Sequence, residues 1–343
     1  YMTNKGGDTF QMLKTKEYLE MKDDIEINII TTPEELNEDF DIVHIFNLQT
    51  IELAYIMTMT AKKYGIKIVL SPIIWRFGDA GYVNKMMRLT HSYSITKSFR
   101  ILGNIFEYIS IHNKLKMKKE ILKNADMVLP NSPEEGKILY EQYGVKFNEK
   151  TVPNCIDVAI KGSALETSDE RKMILQVGRI EPTKNQMAVV LALMNDKDIP
   201  LYFIGKQNNR KKFYINKLKK LAKKRGNTYF IEELPPEKLL NYYKTAKVHI
   251  LPSYRESPGL VTLEALYYGC NIVASSEKYC PVEYYMFNQV GHLCNPYSLK
   301  SIRKALLDAY NSPTVEVPED YFEIFNYKNA AKITREAYEE VLG

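Results

Sequence analysis

Two carboxylates flank the start of an expected helix in the stretch Leu251-Pro252-Ser253-Tyr254-Arg255-Glu256-Ser257-Pro258-Gly259-Leu260, which continues Val261-Thr262-Leu263-Glu264-Ala265-Leu266. Lys247 to Leu251 reads as a strand and Pro258-Gly259 opens a helix over Gly259 to Tyr268, so Glu256 lies in the loop and Glu264 about one and a half turns inside the helix. Bare amides at Gly259, Leu260 and Val261 then face the crevice at the carboxyl end of a strand, which suits a diphosphate. Glu264 stands among Leu263, Ala265 and Leu266, where a carboxylate is costly unless donors satisfy it, and sugar hydroxyls are such donors.

A second loop has a similar setting. In Val177-Gly178-Arg179-Ile180-Glu181-Pro182-Thr183-Lys184-Asn185 a strand ends, Gly178 permits close backbone approach, and Arg179 and Lys184 supply two cations before the next helix. Two cations at a strand end can neutralise the charge of a departing phosphate group without a metal ion.

Positioning these loops takes an α/β scaffold. Short β-branched runs alternate with helix-period segments along the chain, the pattern of parallel sheets covered by helices. Strands are expected at Ile25 to Ile30, Asp41 to Phe46, Ile66 to Leu70 and Asp126 to Leu129, then at Met173 to Val177, Leu201 to Ile204, Tyr229 to Ile231, Lys247 to Leu251 and Asn271 to Ala274. Periodicity lapses from Val152 to about Glu170, where Pro153, Asn154, Gly162 and Ser163 gather, and the interdomain linker is placed there. A chain of 343 residues suits two doubly wound, Rossmann-like domains with a cleft between them.

Composition narrows the function. The formal charge of +5 gives no general nucleic-acid signature. No run reaches the ~18 to 20 apolar residues that span a bilayer, so a cytoplasmic protein is expected. Cys155, Cys270, Cys280 and Cys294 form no CxxC pair and read as free thiols. From Lys85 to Lys123 there are nine Lys or Arg against two Glu, a net +7, interleaved with apolar residues. That is either a basic amphipathic surface for anionic lipid, which would put the protein at the inner face of the cell membrane, or a solvated helix with its apolar face in the core. The lysine-rich run Arg210 to Arg225 reads as a solvated helix. His44 is a core histidine or a substrate contact. Asp39-Phe40-Asp41 precedes a strand and is read as a turn rather than a metal site, and no metal or cofactor is expected.

Together these residues resemble the retaining glycosyltransferases of family 4. Glu256 and Glu264 have the E-x7-E spacing, Gly178-Arg179 and Lys184 precede them, and Gly269 follows. In the first half Gly6-Gly7, Asp41-Ile42-Val43-His44, Ala125-Asp126, Val128 to Ser132 and Val152 to Asp157 each stand where that family has a comparable run, as does Phe325-Asn326-Tyr327 before the last helix. The resemblance implies a GT-B fold, with residues 1–165 as the acceptor-side Rossmann-like domain, 166–315 as the nucleotide-sugar domain, and 316–343 as a helix crossing back to the first. It also implies that Arg179 and Lys184 bind the diphosphate of a UDP- or GDP-linked sugar, Glu264 bonds the ribose, Glu256 holds the transferred sugar, and Gly6 and Gly7 face the diphosphate. The acceptor is then a glycan or a lipid-linked acceptor, in the synthesis of a cell-surface polysaccharide or glycoconjugate. Two stretches depart from the family pattern. Ser71-Pro72-Ile73-Ile74 stands where many members have a histidine, and Ser275 to Glu283 lacks the paired glycines that usually precede the glutamate corresponding to Glu283. A nucleotide-sugar epimerase, a phosphorylase or a non-catalytic donor-binding subunit would share the fold.

Overall fold

The computed structural model describes residues 7–21, 24–48, 50–75, 112–157, 171–207 and 211–343. These fall into two compact units, one of residues up to Trp75, residues 112–155 and Ile324–Gly343, the other within Ile156–Glu323.

In the first unit the described strands β1 (Ile42–Phe46), β2 (Lys67–Ser71) and β3 (Met127–Val128) form a parallel sheet in that order. Alternation along each strand divides its side chains between two cores. Ile68, Leu70 and Val128 pack with Ile51 and Ala61 of helix Ile51–Tyr64, Ile121 of a helix over 112–124, and Leu139 of helix Pro133–Tyr143. Val69, Met127 and Leu129 pack instead with Tyr327, Ala330 and Ala337 of the C-terminal helix Tyr327–Leu342. A sheet of purely parallel strands thus has both faces covered.

Two side chains hold the carboxyl edge of this sheet. Glu135, fully buried in the first turn of its helix, accepts from the amides of Asn131 (2.6 Å) and Ile74, tying the loops after β3 and β2. Burial pushes its carboxyl up to about 8. His44 shares hydrogen bonds with Tyr338 Oη through Nδ1 (2.7 Å) and with Ser71 Oγ through Nε2 (2.9 Å). Burial pushes its imidazole down to about 3. With both ring nitrogens occupied inside the unit, His44 is a satisfied core histidine.

The second unit carries six parallel strands, β4 (Met173–Val177), β5 (Leu201–Ile204), β6 (Thr228–Ile231), β7 (Ala246–Leu251), β8 (Asn271–Ser275) and β9 (His292–Cys294). Their spatial order is β6-β5-β4-β7-β8-β9. The chain therefore builds outward from β4 on one side, then returns to pair β7 with β4 and builds outward on the other, so winding reverses between β4 and β7. In such sheets that reversal opens a crevice beyond the carboxyl ends of the two central strands.

The structure departs from the sequence-based expectation in several places. Residues 25–30 form no strand: the Ile27 amide donates to Glu20 Oε1 (3.0 Å) and its carbonyl accepts from Lys16 Nζ (2.5 Å), so side chains satisfy backbone that a ladder would otherwise pair. Arg225 does not belong to a solvated face. It is 1% exposed, and its guanidinium donates to the carbonyls of Leu193, Asp196, Ile199, Gly226 and Asn227, binding together the turns at the amino edge of the sheet. β9 and the helix Phe287–Val290 went unexpected because three and four residues are too few to show a period.

Candidate functional site

Both chemistry-bearing loops leave the central strands at the switch point. After β4 the chain passes through Gly178 and Arg179 into a 3-10 turn at Pro182–Lys184, then enters helix Gln186–Ala192 at Asn185. After β7 it passes through Glu256 and enters helix Leu260–Tyr267 at Gly259. Tyr254 N donates to the Thr183 carbonyl (3.0 Å), joining one loop to the other.

At the centre Lys184 Nζ donates to Glu256 Oε1. The two side chains are 19% and 9% exposed, so the pair is largely withdrawn from water yet open at one side. Glu256 is further held by its own amide, which donates to the Tyr279 carbonyl of the loop after β8 (2.9 Å). Gly259 has φ +92, and a Cβ there would meet Leu251 Cδ2 at 2.8 Å and Glu256 Oε2 at 3.2 Å. Any side chain at 259 would be strained and would crowd the carboxylate. No side chain caps the helix that Gly259 begins, so the first-turn amides at Leu260 and Val261 are left to an outside acceptor, an arrangement that favours anions.

Gly178 places its backbone against the tip of β5. A Cβ at Gly205, which has φ +148, would lie 2.2 Å from the Gly178 carbonyl oxygen, so the two strand ends meet backbone to backbone. Gly178 also lies beside Lys184, whose Cε would be 3.9 Å from an added Cβ. Arg179 is set apart from this pair. Its guanidinium is 54% exposed and lies 3.6 Å from Glu181, whose Oε1 accepts from Thr183 Oγ1 (2.8 Å). An arginine held this loosely can swing to an incoming anion at the cost of a weak, solvent-screened contact.

Glu264 occupies the same helix about a turn further on. Tyr243 Oη donates to its Oε2 (2.9 Å), and burial raises its carboxyl above the usual range while that hydrogen bond opposes the shift. Leu263, Ala265 and Leu266 are buried around it. One carboxylate oxygen is thus fixed by the protein, in a setting where further hydroxyl donors are welcome.

Of the residues expected to act, the structure brings Gly178, Lys184, Glu256, Gly259, Leu260 and Val261 to one sheet edge, with Arg179 beside them and Glu264 deeper in the helix. Glu283 is exposed in the turn before Phe287. Gly7 begins helix Gly7–Leu19 of the first unit, and Gly6 lies outside the described residues, as does 85–111 of the basic stretch. Sequence reasoning missed Asn185, Gly205, Tyr243 and Tyr254. Only Gly205 carried a signal, a glycine directly after a strand, as at Gly178.

Comparisons with known proteins point the same way. Residues 161–324 match the family model for glycosyl transferases group 1. A D-inositol 3-phosphate glycosyltransferase of Corynebacterium diphtheriae is 26% identical over 186 residues, covering 48% of this chain and 43% of the relative. The match thus spans less than half of that relative's length. A sucrose-phosphate synthase from Thermosynechococcus elongatus shares the fold with a TM-score of 0.64 at 19% identity, over 88% of this chain and 74% of its own. So does Anabaena Alr3699/HepE, crystallised with UDP and glucose, with a TM-score of 0.64 at 14% identity, over 88% of this chain and 79% of its own.

Proposed function

We propose that this chain, a protein of GT-B fold whose residues 161–324 match the family model of the glycosyl transferases of group 1, moves a sugar from a nucleoside diphosphate to an acceptor with retention at the anomeric carbon. The observation that carries the reading is the Lys184–Glu256 pair beside an uncapped helix start at the switch point. A diphosphate entering there meets Lys184, the exposed guanidinium of Arg179 and the amides of Leu260 and Val261, all of which stabilise charge as it leaves. Lys184 exchanges Glu256 for phosphate, and the released carboxylate turns to the transferred sugar, where it offsets positive charge developing at the reacting carbon. Glu264, steadied by Tyr243, takes the ribose hydroxyls. Uridine is the favoured base, since a protein of the same fold binds UDP with glucose.

The test is slow hydrolysis of a panel of UDP- and GDP-sugars, repeated in excess chelator, with the anomeric configuration of the released sugar read by NMR. One donor should be consumed, at an unchanged rate under chelation, with retention. Consumption of none, or dependence on added manganese or magnesium, would overturn the reading.

The acceptor proposed is a glycan or lipid-linked sugar presented at an anionic membrane, in cell-surface polysaccharide or glycoconjugate synthesis. Among the described residues no helix is long and apolar enough to cross a membrane. The support for a membrane surface is a face of the first unit. Leu53, Ile56 and Leu115 are 41%, 49% and 38% exposed, and Lys114 pairs with Glu52 (3.0 Å), so exposed apolar side chains lie among lysines. Sedimentation with anionic vesicles should recover the protein in a salt-sensitive way, each lysine contributing ~1 kcal/mol. Equal recovery on neutral vesicles, or no loss when Lys114, Lys116, Lys118 and Lys119 become alanine, would remove the membrane from the proposal.

A further inference from the structure

Lys184 ends a 3-10 turn and Glu256 lies in an irregular loop, so contacts beyond helix and sheet must fix the two backbones against each other. Asn185 lies one residue beyond Lys184, 5% exposed, with φ 58 and ψ 31. That left-handed conformation is one asparagine tolerates better than other side chains. Its amide nitrogen donates to the carbonyl of Pro252, the first residue after β7 (3.2 Å), and to that of Pro296, in the loop after β9 (2.8 Å). Its Oδ1 accepts from Tyr254 Oη (3.0 Å). The Tyr254 ring packs on Tyr297 (centroids 4.6 Å apart), which in turn packs on Tyr279 (5.7 Å), and Tyr279 receives the Glu256 amide. One buried side chain therefore spans the loops after β4, β7 and β9, and its tyrosine partner leads to the loop after β8.

From this we infer that Asn185 and Tyr254 are positioning residues, a brace that holds Lys184 against Glu256 and so sets the resting geometry of the diphosphate site. Neither has to touch substrate. The catalytic consequence rests on the transferase reading above, whereas the structural one does not. Asn185→Gly keeps the left-handed backbone and deletes all three hydrogen bonds, while Tyr254→Phe keeps the ring and deletes one.

The experiment has two arms on the intact protein. Limited amine acetylation, quantified by peptide mass spectrometry, compares Lys184 with the exposed Lys212 as internal standard. Asn185→Gly should raise labelling of Lys184 by roughly threefold or more and Tyr254→Phe by less, with Lys212 unchanged. With the donor identified by the panel, turnover should fall by about a hundredfold in Asn185→Gly and about tenfold in Tyr254→Phe, while the Kd for the nucleoside diphosphate stays within about twofold. A general loss of packing would instead raise labelling at many lysines and weaken both constants together. If Asn185→Gly does not fold, Tyr254→Phe decides alone. Unchanged Lys184 labelling in a folded variant overturns the brace, whatever the activity. If the wild-type protein consumes no donor, the transferase reading falls and the labelling arm still judges the brace.

Discussion

Glu256→Gln should cut turnover by about a hundredfold or more and leave nucleoside-diphosphate affinity intact or slightly tighter. The amide keeps the size of the carboxylate but cannot offset charge at the reacting carbon. It also releases Lys184 from its resting partner, so the cation reaches the diphosphate without first breaking an ion pair. Glu264→Gln should do the reverse. The ribose contacts proposed for it would be made equally in ground and transition states, so donor Kd should rise about tenfold with turnover little changed. Both constants, measured for both variants with one donor, decide the matter. Full turnover in Glu256→Gln, or loss of nucleotide binding there with its retention in Glu264→Gln, would reverse the roles assigned here.

Lys184→Met should have the largest effect, because it acts on chemistry and on the fold together. Without the cation, the departing diphosphate keeps only the amides and Arg179, and transfer should fall by about a thousandfold. Glu256, 8% exposed, is left with only the charge of the neighbouring Arg255 to oppose its burial, and breaking a pair this withdrawn costs about 2 to 3 kcal/mol, seen as a Tm lowered by several degrees. The double variant Lys184→Met, Glu256→Gln removes the stranded charge, so it should recover most of the lost stability and none of the activity. If the double variant melts as low as Lys184→Met alone, the pair is not the source of the loss.

Much of the scaffold is legible in the chain. Met173 to Val177 and Leu201 to Ile204 have the bounds expected of them, because runs of apolar, β-branched and aromatic residues mark strands buried on both faces. Lys184 and Glu256 are also visible one at a time, each in a loop between a strand and a helix. Their meeting is not visible. Alternation of strands and helices says nothing about which strands are neighbours, and only the return of β7 to β4 makes an ion pair of residues assigned separate roles on diphosphate and sugar. Asn185 is hidden for a similar reason, since its partners lie at Pro252, Tyr254 and Pro296 and its left-handed backbone leaves no composition signal. Tyr243 is hidden too, since nothing in the sequence places its hydroxyl on Glu264.

The pairing of β4 with β7 has a thermodynamic side. It joins Ile174 to Val248 across the longest stretch of sequence that any strand pair in this sheet closes, so it carries the largest loop-closure entropy of the five. The nucleotide site proposed above lies at that same junction, so it would be absent from any partly folded form in which β7 has not docked. A ligand that binds only the finished junction shifts the folding equilibrium by mass action, by ~2.7 kcal/mol at a hundredfold excess over its Kd. On the proposed reading the donor is also a folding ligand for the second unit, selecting the state in which β4 and β7 have come together.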